Sequence, residues 1–178
     1  CSAPERKSEM SIGLLLLRLV VGLSFVAHGT QKLWGWFGGG GLEATSQFFT
    51  MLGFPKGHRH AFMAGLAEAG GGLLLALGLL TPLGTLAIIS VMLVATVTMH
   101  LPKGFFAQNG GYEYPLVMAT SALALAFTGP GAYSLDWALG IYRSGTTWAV
   151  GALVLGLIGG AVSLSERRKA PEQAATTR

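Results

Sequence analysis

Arg18 and Glu68 are charged side chains set deep within apolar stretches. Each costs roughly 2.5–3.5 kcal/mol at the centre of a membrane helix unless a partner or a polar cavity receives it. Four more groups able to donate or accept protons, His28, Lys32, His100 and Glu113, stand at the ends of such stretches. At about 1.5 Å per residue, Arg18 lies roughly 15 Å below His28 and Glu68 roughly 12 Å below His60, measured from one surface. The spacing predicts an Arg18–Glu68 ion pair, serving either as a pin between two helices or as the polar floor of a pocket. Successive helices alternate in direction, so His28, Lys32, His100 and Glu113, with Gln108, Asn109 and Tyr112, converge on that same surface. Such a set can hydrogen-bond a polar headgroup and exchange protons with it. Each member also has a plainer reading: a histidine at a helix end anchors at the interface, and Glu113 at a helix start complements the helix dipole.

Other chemistries find little support. The only cysteine is Cys1, so the chain has no internal disulfide and no CxxC pair, and no metal site is expected. His28 and His100 lie at one depth, but no CxxCH accompanies them and a haem is not favoured. His58 and His60, flanking Arg59, read as lipid headgroup contacts. No P-loop, no GxSxG and no dinucleotide-binding glycine motif stands in the strand–helix context it needs.

The elements that must position these groups are membrane helices. Five apolar stretches, Ile12–Ala27, Ala61–Leu80, Leu83–Leu101, Tyr114–Phe127 and Trp148–Leu164, occupy most of the 178 residues. A span needs about 20 residues to cross a hydrocarbon core of about 30 Å, so the first and fourth must borrow flanking residues. The composition, 51% hydrophobic and 11% charged, cannot cover a water-facing surface. None of the stretches alternates as a membrane strand would. The expected fold is all-α, a polytopic membrane helix bundle. The net charge of +4 sits in loops and tails, where it suits anionic lipid and topology signals, not nucleic acid.

Between the first two spans, Trp34, Trp36 and Phe37 form an interfacial anchor and Gly38–Gly41 break the helix, while Glu43–Leu52 reads as a short amphipathic helix capping the bundle. Thr81–Gly84 reads as a tight turn that makes the second and third spans antiparallel neighbours. The fifth span carries Ala152, Gly156 and Gly160 at four-residue spacing, a bare stripe that packs inside the bundle or docks a partner. The expected organisation is an N-terminal extension over 1–10, a four-helix core over 11–136, an added transmembrane helix over 145–164, and a charged, disordered tail over 165–178. Cys1 reads as the product of lipoprotein cleavage or, preferably, as part of an extension upstream of Met10. With five spans, basic residues number three on the side of the N-terminus and eight on the other, which favours an N-terminus outside; a fifth segment lying on the surface would move the C-terminal charges and reverse that orientation.

The segments LLLLRLVVGLSFVAHGTQKLWGWFGG, FMAGLAEAGGGLLLALGLLTPLG, MHLPKGFFAQNGGYEYPLVM and GPGAYSLD together resemble the DoxX family of small bacterial membrane proteins, over about Ser11–Asp136. The resemblance implies a four-helix core in the bacterial inner membrane, related to the membrane subunits of thiosulfate:quinone oxidoreductase. It also implies marked positions at Arg18, His28, Lys32, Glu68 and Glu113. The fifth span and the N-terminal extension are additions to that core.

Two functions follow as expectations. One is a quinone-linked redox role, in which a quinone headgroup meets Arg18, His28 and Glu68 while a thiol or thiosulfate is oxidised; electrons come from a partner or directly from substrate. The other is a non-enzymatic anchor or scaffold subunit of a larger redox or respiratory assembly. Solute transport fits less well, since five spans without an internal repeat make a poor alternating-access carrier.

Overall fold

The computed structural model describes residues 3–168 and is all-α, with seven α-helices among those residues. Residues 1–2 and 169–178 lie outside the described residues, and with them Cys1 and most of the expected tail.

Helix α1 (Ala3–Trp34) is antiparallel to α3 (Gly57–Leu77), and the two form the most extensive helix pair in the molecule. Small residues make that seam. A methyl at Gly22 would sit 2.5 Å from the Gly72 carbonyl oxygen and 2.6 Å from the Ala76 nitrogen, and one at Gly29 would sit 2.6 Å from the Gly65 carbonyl oxygen. In a bilayer no hydrophobic force draws helices together, so close backbone approach supplies the contact instead. The seam also fixes register: Glu68 falls level with His28, while Arg18 falls level with Gly78, near the other end of the bundle.

Helix α2 (Gly41–Met51) lies between them in sequence and packs on both. It buries Phe49 against Phe54 and Ala61 and leaves Phe48 and Met51 more exposed, as a surface-lying amphipathic helix does. The α3 helix stops at Gly78, whose left-handed φ of 61° lets Gly78 N and Leu79 N return to Leu75 O and Leu74 O. The tight turn is therefore Gly78–Leu80. Thr81–Gly84, expected as the turn, is the first turn of α4 (Thr81–Ala95), where Pro82 is tolerated because early helix N–H groups lack partners anyway.

Beyond Ala95, α4 widens into a π-turn over Thr96–His100 and ends in a 3₁₀ turn at Leu101–Lys103. Pro102 accounts for the change, since its ring clashes with the carbonyl four residues back in a regular α-helix. Helix α5 (Glu113–Thr128) follows, then the single-turn α6 (Leu135–Ala138) and α7 (Thr146–Ser165). Buried Val21, Phe25, Leu75, Ile88, Met92, Met118 and Leu125 join α1, α3, α4 and α5 in one core.

Among the described residues, four segments are long and apolar enough to cross a membrane: Ser8–Trp34, Gly57–Leu77, Thr81–Lys103 and Thr146–Ser165. The fourth expected span, α5, has 16 residues and spans about 24 Å. It packs within the bundle against α4, α7 and α1. Among the rows of side chains facing outward, Leu16, Val20, Leu66, Leu73, Val154 and Ile158 are exposed, as lipid-facing positions are.

The small-residue stripe of α7 is spent inside the chain. Gly156 abuts Ile89 and the Leu86 carbonyl, and Gly160 abuts Leu93 and the Ser90 carbonyl, with Ala152 buried on the same face. Past Ser165 the described residues are tied down: Arg167 Nε donates to Leu52 O at 2.6 Å and Arg168 N to Gly53 O at 2.8 Å.

Candidate functional site

A cavity of about 220 Å³ lies beneath α2, close to one membrane surface. Its roof is Phe48 and Phe49 of α2 with Leu52 just after it; α3 contributes Met63, Ala67 and Glu68. The floor is α4, from Ser90 to Met99, and the last wall is Gly159, Val162 and Ser163 of α7. The π-turn of α4 places Thr98 and Met99 on this lining, and such turns recur at functional sites.

The charged element of the cavity is an ion pair between Lys32 Nζ, in the last turn of α1, and Glu68 Oε2 of α3. Glu68 is buried, its side chain 4% exposed, while Lys32 keeps 27% of its side chain accessible. The α1–α3 register produces the pair, because Lys32 stands one turn beyond the level of Glu68. Thr45 Oγ1 donates to Lys32 O at 3.3 Å and so fastens α2 beside it. Tyr114, at the start of α5, lies within electrostatic reach of Glu68 and meets the His28 ring edge-on at 6.4 Å.

His60 forms the second polar group of the lining. Its ring lies parallel to Phe49 at 6.4 Å and against Phe54 at 4.6 Å, which buries it. Nε2 faces Glu166 Oε2 at 3.2 Å and Nδ1 faces Ser163 Oγ at 3.3 Å. Arg59 reaches the same Glu166 carboxylate at 3.7 Å. A neutral imidazole with its proton on Nε2 satisfies both contacts, donating to Glu166 and accepting from Ser163.

The expected Arg18–Glu68 pair does not form. Arg18 is buried at the opposite end, where its guanidinium donates to Pro130 O at 3.2 Å and to Tyr133 O, and is attracted by Asp136. Asp136 itself accepts from Leu80 N at 2.8 Å, Thr81 N at 3.2 Å and Thr81 Oγ1 at 3.0 Å, holding the start of α4. The depth estimate fails because α1 continues to Trp34 instead of leaving the membrane at His28, which shifts Arg18 toward the far surface.

Of the six sequence-selected residues, Lys32 and Glu68 line the cavity. His28 is exposed beside Tyr114. His100 and Glu113 organise the connection between α4 and α5: His100 Nδ1 lies 2.7 Å from Gly110 O, and Glu113 Oε2 accepts from Ala107 N at 2.9 Å. His60, Thr98, Ser163 and Glu166 join the site without a strong sequence signal. His60 sits in a basic run that reads as surface, and its burial comes from Phe49 and Phe54, supplied by a different helix and a turn. Among the described residues, no three His, Cys, Asp or Glu side chains gather where they could hold a metal ion.

The DoxX family profile matches residues 13–101, which contain α1 from Gly13 onward, α2, α3, α4 (Thr81–Ala95) and both members of the Lys32–Glu68 pair. Similar proteins include one named "Putative oxidoreductase CatD" of Bacillus subtilis (strain 168), 33% identical over 72% of this chain and 87% of that protein. Inner membrane protein YqjF of Escherichia coli (strain K12) is 30% identical over 73% of this chain and 94% of its own. Inner membrane protein YphA of the same organism is 32% identical over 69% and 87%. No solved structure gives a significant match. With this profile match, these relatives and four helices able to cross a bilayer, the chain is a multi-pass inner-membrane protein and belongs to the DoxX family.

Proposed function

We propose that the chain is a membrane subunit of a bacterial redox assembly and receives a quinone headgroup in the cavity beneath α2, linked to oxidation of a thiol or thiosulfate. The observation that carries this reading is the Lys32–Glu68 pair, with Glu68 buried, on the wall of a largely apolar cavity that also holds His60 and Ser163. Quinone reduction takes up two electrons and two protons. The Lys32 ammonium suits a quinone carbonyl as hydrogen-bond donor, and Glu68 beside it suits proton exchange. Electrons come from a partner subunit or from the substrate. The kinship with a protein named as an oxidoreductase points the same way.

The test is quantitative extraction of quinone from the protein purified with its native lipid, followed by titration of decylubiquinone into the protein in nanodiscs. Saturable binding near one per chain, weakened at least tenfold by Glu68→Gln, supports the role. Absence of quinone together with stable co-purifying subunits would replace it with an anchoring or scaffold role.

A further inference from the structure

Helix α7 packs along α4 and α5, and α3 packs along α1, α2 and α4, but α3 and α7 share no extended seam. Their bridge lies at the surface end, where His60 of α3 meets Ser163 on α7 and Glu166 at its C-terminus. Beside that bridge the cavity reaches the surface of the bundle as a groove, with exposed Met63 of α3 (53%) and Val162 of α7 (57%) as its rims. Both rims belong to segments long and apolar enough to cross a membrane.

From this arrangement we infer that the cavity is filled sideways from the bilayer by a long-tailed, lipid-soluble amphiphile with an uncharged hydrogen-bonding headgroup, whose tail leaves between Met63 and Val162. This deepens the quinone reading and rests on it for the headgroup. Three observations select that occupant. At about 220 Å³ the cavity is smaller than the roughly 300–1,000 Å³ of ordinary ligand pockets, so it holds a headgroup while the remainder of a longer molecule lies in the groove. Its polar groups stand at two levels, His60 with Ser163 at the surface end and the Lys32–Glu68 pair about two helical turns further along α3, and Met63, Val91, Val94 and Gly159 supply apolar lining beside them. The cationic and anionic groups are paired with each other, Lys32 with Glu68 and Arg59 with Glu166, which leaves no uncompensated charge to select an ionic headgroup. A water-soluble substrate would have to pass the α2 roof and the His60–Glu166 bridge.

Gly159 is the narrow point: a methyl there would stand 3.1 Å from Ser90 Oγ. The experiment compares decylubiquinone with a tailless benzoquinone bearing the same ring substituents, titrated into wild type, Gly159→Ile and Val162→Trp in nanodiscs. Val162→Trp keeps the α4–α7 seam intact, since Val162 is on the exposed rim, and guards against a misfolded Gly159→Ile. The expected result is that Val162→Trp weakens binding of the long-tailed quinone at least tenfold more than binding of the tailless one. Equal loss of both, or no loss of either, overturns the lateral groove while leaving the quinone reading standing. If wild type binds neither quinone, that reading fails, and a photocrosslinking phenylalanine analogue at Val162 decides the groove alone. Crosslinks to the acyl chain of a nanodisc lipid that disappear with Met63→Trp support it, and crosslinks that are absent or unaffected overturn it.

Discussion

Lys32 closes on Glu68 across the α1–α3 seam, while Arg18 is held at the other end of the bundle by the Pro130 and Tyr133 carbonyls. The buried charges of this bundle are thus sorted into two clusters near opposite surfaces. One lines a cavity; the other fastens a loop.

Breaking the Lys32–Glu68 pair from one side should cost more than removing it whole. Lys32→Met leaves a carboxylate buried without a counter-charge and is expected to destabilise by about 3 kcal/mol. The double variant Lys32→Met, Glu68→Leu should recover most of that loss. Thermal unfolding of the three proteins in one detergent measures it, and a double variant less stable than Lys32→Met contradicts the assignment.

Arg18 is expected to matter for the loop before α6 and not for the cavity. Arg18→Met strands the Pro130 and Tyr133 carbonyls and removes the positive charge opposite buried Asp136, at a cost of about 3 kcal/mol. Hydrogen exchange should rise over residues 129–140. Quinone affinity in surviving folded protein should stay within twofold of wild type.

Glycine substitutions should separate seam from surface. Gly22→Ala forces a methyl into the Gly72 carbonyl and is expected to destabilise by about 1–3 kcal/mol. Gly151→Ala meets nothing within 4 Å and, in a helix interior, should be neutral or stabilising by up to about 1 kcal/mol. Similar melting temperatures for the two would remove the close-packed seam.

Because α2 lies on the surface and does not cross, its two flanks share one side of the membrane. With Cys1 replaced by Ser, single cysteines at Trp36, Lys56 and Arg167 should react with an impermeant maleimide from the same face of oriented vesicles. A cysteine at Trp137 should react from the opposite face. Labelling of Trp36 and Lys56 from different faces would mean that the segment spans.

Hydropathy and length made the membrane helices legible in the sequence, because a bilayer demands long uncharged runs whatever their neighbours are. The amphipathic α2 was legible for a related reason: its glycines and its polar residues make crossing costly. Lys32, Glu68 and Arg18 stood out as charges in apolar surroundings. Their partners did not, since pairing depends on register, and register is set where Gly22 and Gly29 let α1 settle against α3. Shifting the end of α1 from His28 to Trp34 moved Arg18 away from Glu68 to the carbonyls of Pro130 and Tyr133, residues far away in the chain. Tertiary structure also decided that His60 is buried and that α7 uses its small stripe on α4. Sequence by itself fixed the solvent and the helices, because those follow from local composition. Which charges meet, and where a cavity remains, followed from how closely the backbones pack.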